Sequence, residues 1–120
     1  MKASILAVML SLTLVQPANA GPFDRPCSVS PNPVTVGGAY TITDTGLKEQ
    51  TSAGTEFLIW EYWPSGLEQT YIWSDGKGNV SLTETATEPA DVYVELYNLG
   101  YYGRRHGYRE AGDCAFTSTA

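Results

Sequence analysis

The chain has 120 residues, with seven Lys and Arg against 13 Asp and Glu, a single His and two Cys. An acidic balance of this size repels phosphate backbones and anionic headgroups, which argues against nucleic acid and charged membrane surfaces as partners. One imidazole and two thiols are too few for a metal centre of the usual nitrogen and sulfur ligands, so no metal or cofactor is expected.

The opening MKASILAVMLSLTLVQPANA combines Lys2, an apolar run from Ile5 to Val15, and an A-x-A pair at Ala18 and Ala20. That pattern predicts a secretory signal over residues 1–20, cleaved after Ala20, and its apolar run is too short to span a bilayer. Residues 21–120 are then expected to be one domain, secreted or periplasmic, with no membrane insertion. Removing Lys2 leaves six basic and 13 acidic residues, a net charge of −7. In an oxidising compartment Cys27 and Cys114 read as a structural disulfide, since no C-x-x-C spacing points to redox or metal chemistry.

Next come short β-rich runs. CSVS and VTV flank PNP, which suits a first strand that breaks at its prolines and switches sheets. AYTIT alternates, with Tyr40 and Ile42 on one face. TEFLIWEYW is apolar in both phases and reads as a central strand. QTYIWS follows, and DGKG then supplies residues able to take positive φ in a hairpin turn. NVSLTETA turns Val80 and Leu82 inward. DVYVELY alternates Val92, Val94 and Leu96 with Tyr93, Glu95 and Tyr97, and DCAFTS closes the series. Seven or eight such runs separated by Gly, Pro, Asn and Asp, with no helical period, predict an all-β antiparallel sandwich.

Two stretches carry a resemblance. Cys27 to Leu47, CSVSPNPVTVGGAYTITDTGL, resembles the opening of bacterial immunoglobulin-like domains of secreted and surface proteins, with S-P-x-x-V-x-x-G before an alternating strand. Trp73 to Tyr97 is similar to their D-x-x-G turn, following strand, T-x-P-G-x-Y corner and alternating strand. At that corner this chain has Ala90 and Val92 where the family has Gly and Tyr, which leaves Tyr93 one position out of phase and facing outward. The resemblance implies an immunoglobulin-like sandwich of about seven strands, with the disulfide linking the first and last, and recognition or adhesion more than chemistry. The apoproteins of enediyne antibiotics, which hold a small molecule in an aromatic cleft, share a similar architecture but have internal disulfides absent here.

The candidate binding residues fall in two groups. Val92, Val94 and Leu96 face the core because the other phase holds Glu95, so Tyr93 and Tyr97 face out. Aligning GTEF with the family's strand entry puts Phe57 and Ile59 inside and Leu58, Trp60 and Tyr62 outside. Trp60, Tyr62, Tyr93 and Tyr97 would then form one aromatic patch on neighbouring strands, unless PSGLEQTYIW folds over it. The second group is the loop NLGYYGRRHGYRE, residues 98–110, with Tyr101, Tyr102, Arg104, Arg105, His106 and Tyr108. Rigid Tyr, forked Arg and permissive Gly resemble an antibody paratope in physical logic, although a solvated hairpin has the same composition.

Catalysis finds no support. His106 is the only imidazole, and no G-x-S-x-G, H-E-x-x-H or S-x-x-K motif is present. Glu61 and Glu95 read as solvated strand-surface carboxylates. The expected function is a secreted, non-catalytic recognition or adhesion module, monomeric or a weak homodimer, binding a protein or glycan through the loop and outer face. The alternatives are a secreted enzyme inhibitor presenting residues 98–110, and a purely structural extracellular domain.

Overall fold

The computed structural model describes residues 26–100 and 109–120. The expected signal and the loop residues 101–108 lie outside them. Eight strands follow one another: β1 (Ser28–Ser30), β2 (Val34–Thr35), β3 (Ala39–Asp44), β4 (Glu56–Trp63), β5 (Gly66–Trp73), β6 (Val80–Thr85), β7 (Ala90–Asn98) and β8 (Arg109–Thr119). They form a three-stranded sheet in the order β1-β3-β6 and a five-stranded sheet in the order β2-β8-β7-β4-β5. Among the described residues no helix is long and apolar enough to cross a membrane.

The first strand switches sheets as the sequence predicts. β1 pairs antiparallel with β3, and β2 pairs parallel with β8. Between them Pro31 and Pro33 offer no N–H to either ladder, so neither sheet can claim the intervening residues. The inner faces meet in a core of Tyr40 and Ile42 from β3, Val80 from β6, Phe57, Ile59 and Trp63 from β4, Val92, Val94 and Leu96 from β7, and Phe116 from β8. Phe57, Ile59, Val94 and Leu96 are wholly excluded from water, each contributing about 1.5–3 kcal/mol of transfer free energy. Tyr40 stacks at 4.7 Å on Phe116 and lies 6.2 Å from Trp63, joining the two sheets through aromatic contacts.

Cys27, just before β1, is bonded to Cys114 in β8, and the Cys27 N–H donates to the Asp113 carbonyl at 3.2 Å. Because β1 and β8 belong to different sheets, the bridge pins the two layers together at one edge.

Two expectations need correction. The DGKG segment does take positive φ at Gly76 and Gly78, and Asp75 accepts from the N–H groups of Lys77 and Asn79. It is not a hairpin, however: β5 and β6 lie in different sheets, so the turn carries the chain across the sandwich. The second correction concerns Glu61. It shares the inner phase of β4 with Phe57, Ile59 and Trp63, and none of it reaches solvent. Its Oε1 accepts from the Tyr40 hydroxyl at 2.5 Å and from Trp63 Nε1 at 3.3 Å, while Oε2 has no hydrogen-bond partner. Burial pushes the Glu61 carboxyl above its ordinary range, and the charges of Glu68 and Glu84 add to that shift.

Candidate functional site

Strand alternation sends every second residue of β4, β5, β7 and β8 to the outer face of the five-stranded sheet. The pairing fixes who stands beside whom. Trp60 of β4 lies opposite Glu95 of β7, Tyr62 opposite Tyr93, and Leu58 opposite Tyr97. On the other side of β4, Leu67 of β5 is opposite Tyr62, Gln69 opposite Trp60, Tyr71 opposite Leu58 and Trp73 opposite Glu56. The four expected face residues therefore come together. Trp60 and Tyr97 are 5.0 Å apart between ring centroids, Tyr62 and Tyr93 are 5.8 Å apart, and Trp60 meets Tyr62 edge-on at 6.3 Å.

The segment after β4 does not cover this patch; it extends it. Pro64 and Ser65 form a two-residue turn, and β5 returns alongside β4 as the sheet's edge strand. Its outward Leu67, Tyr71 and Trp73 are 44%, 60% and 64% exposed. These three residues were absent from the sequence-based site. The short turn carries the signal that identifies them, because closing it between Trp63 and Gly66 fixes every later partner along β5.

Carboxylates border the aromatic rings. The Tyr62 hydroxyl donates to Glu95 Oε1 at 2.5 Å, and the Tyr93 hydroxyl donates to Asp113 Oδ2 at 2.7 Å. Burial, followed by these carboxylate partners, raises both phenols well above their ordinary range. Tyr97 is pushed up to about 12, by burial and then by the charges of Glu95 and Glu110. Glu110, which stands opposite Tyr97 beyond a bulge in β8, is pushed up to about 7. Burial is the largest cause, and the charges of Glu95 and Asp113 together with a hydrogen bond to Glu95 add to it. The phenols stay protonated at any physiological pH and hold the carboxylates in fixed positions.

In chemical terms the surface offers broad aromatic faces with a fixed acceptor border. That suits stacking on a sugar ring or contact with an apolar, donor-rich protein surface. Glu61 and Glu95 lie on opposite faces of the sheet and form no pair.

Of the remaining expected site residues, Cys27 and Cys114 are bonded to each other. Tyr101, Tyr102, Arg104, Arg105, His106 and Tyr108 lie outside the described residues. The strands bounding their loop are adjacent and antiparallel, with Asn98 opposite Arg109, so the loop joins the last two strands and leaves beside Tyr97 and Glu110. Its first residues are held: the Leu99 N–H donates to the Glu56 carbonyl, and the Gly100 N–H donates to Asn98 Oδ1. Fold and surface together define a disulfide-bridged, two-sheet β domain with an open aromatic face. No protein-family profile, curated protein or solved structure matches the chain.

Proposed function

We propose that this chain is a non-catalytic recognition module of immunoglobulin-like type, which captures a protein or glycan on the outer face of its five-stranded sheet. One observation carries the reading. Every exposed large hydrophobic residue among the described residues, Tyr62, Leu67, Tyr71, Trp73 and Tyr93, lies on that single face. Scattered exposed apolar residues need no explanation, whereas a contiguous aromatic set on one sheet face is characteristic of an interaction surface. The strand order supports the immunoglobulin-like assignment: β1-β3-β6 and β2-β8-β7-β4-β5 correspond to a split first strand with the B and E strands on one side and G, F, C and C′ on the other. The disulfide accords with an extracellular or periplasmic setting.

Tyr71→Ala combined with Trp73→Ala tests the reading, because both side chains are mostly solvent-exposed and their removal leaves the core intact. Wild type and the double variant are compared on a glycan array and in pull-downs from native extracellular medium. Loss of at least tenfold in recovery of a glycan or protein by the double variant, at unchanged thermal stability, is the expected result. Equal recovery of every partner by the two proteins refutes the face as the binding surface.

A further inference from the structure

The open edge of β5 goes beyond a face that binds other molecules. β5 is eight residues long and ends the five-stranded sheet. It contains no Pro and no Lys, two of the residues that commonly blunt an exposed edge, and its one charged residue, Glu68, is in the inward phase. Its backbone orientation follows from its neighbours. Trp63 pairs with Gly66 across the two-residue turn, and the Ser74 N–H donates to the Thr55 carbonyl. Even-numbered residues of β5 thus turn their N–H and C=O groups toward β4, and Leu67, Gln69, Tyr71 and Trp73 turn theirs outward. Among the described residues no strand takes up these four donors and acceptors.

We propose that a second copy of this chain pairs with that edge, β5 against β5, in a two-fold symmetric antiparallel homodimer centred on Thr70. The strand is complementary to itself in this register. An antiparallel pairing centred on Thr70 sets Leu67 opposite Trp73 of the second copy and Gln69 opposite Tyr71, so that all four outward-facing backbone residues are satisfied at once. Cross-strand contacts on the outer face are apolar with aromatic at both ends and amide with phenol between, pairings that stabilise a ladder. On the other face Glu68 stands opposite Ile72, and Thr70 opposite its own symmetry mate. Glu68 is the only charged residue of β5, and it opposes the register centred on itself, which sets two carboxylates directly opposite each other. The pairing joins two five-stranded sheets into one of ten strands and doubles the aromatic face without covering it.

The net negative charge of each copy opposes association, so dimerisation strengthens as salt screens it. Sedimentation of the full, oxidised protein at 50 mM and 500 mM salt is expected to show a mass twice that of the monomer, with the dimer fraction higher at 500 mM. Gln69→Pro removes an outward N–H without touching the bonds to β4 and leaves Tyr71 and Trp73 in place. It is expected to be monomeric at the same concentration while keeping the recognition surface, so failure of the dimer and failure of the proposed function are separate results. The register is tested by cysteine substitution, since the native cysteines are both bonded and each variant adds one thiol. Thr70→Cys is expected to give a disulfide-linked dimer on mild oxidation, and Glu68→Cys to give at least tenfold less. This pair decides the matter even if the proline variant does not fold. A wild type that stays monomeric to about 1 mM, or cross-linking at Glu68 in place of Thr70, overturns the proposal.

Discussion

Replacing Glu61 by glutamine is expected to shift relative stability in favour of the variant as the pH rises. Glu61 is completely buried, and its folded pKa is raised above the ordinary value of 4.5, so ionisation inside the sandwich is disfavoured. The sign follows from linkage. The stability that accompanies a raised carboxyl pKa is fully present below pH 4.5 and is lost progressively as the pH climbs toward the folded value. Across that window the wild type loses stability at a limiting rate of about 1.4 kcal/mol per pH unit, and the glutamine variant, which has no proton to lose, does not. The Glu61→Gln side chain retains an oxygen to accept from Tyr40 and Trp63. Its amide replaces Oε2, which has no partner in the wild type, so any cost of the unpaired N–H is a constant of about 1–3 kcal/mol independent of pH. The assay is urea unfolding of both proteins at pH 5, 6 and 7. The difference in unfolding free energy is expected to move in favour of the variant between pH 5 and pH 7, at no more than about 1.4 kcal/mol per pH unit. A difference that stays flat over that range refutes the burial argument.

Glu110→Gln is expected to show the same sign with a different shape. Its carboxyl is pushed up to about 7, so the variant's advantage grows from about pH 4.5 and levels off above pH 7. Because Glu110 is only partly buried, the plateau is discounted to about 1–2 kcal/mol, measured by urea unfolding at pH 5 and pH 8. Changing Cys27 and Cys114 together to Ala opens a closure of 87 residues and is expected to cost about 4–5 kcal/mol of stability in the chain-entropy account. Thermal unfolding followed by circular dichroism checks it.

The strands and most of their faces were legible in the sequence because period-two alternation is strong in AYTIT and DVYVELY. Tyr40, Ile42, Val92, Val94 and Leu96 are buried as read, and Tyr93 and Tyr97 face out. The bridge and the strand switch at Pro31 and Pro33 were also legible. Glu61 was not, because the rule that turns β7 on Glu95 places a charged residue outside. That rule fails on β4, where Tyr40 and Trp63 supply two donors from within the core and make a buried acid tolerable. The pairing of Glu61 with Tyr40, 21 residues away in sequence, is a tertiary fact invisible to local pattern. The extent of the aromatic face was missed for a different reason. QTYIWS alone assigns Tyr71 and Trp73 no partners, which come only from the turn at Pro64 and Ser65.

The Cys27–Cys114 bridge also determines how the domain bears mechanical load. Tension entering before Cys27 and leaving beyond Ala115 runs through the sulfur bond and bypasses everything between. Residues 28–113 form a covalent ring that force does not lengthen while the bond holds, and the aromatic face lies within it. What yields is the end of β8, where Val34 and Thr35 clasp Ser118 and Thr119. A ligand held on the face would therefore stay on an undeformed surface under shear that peels the clasp away.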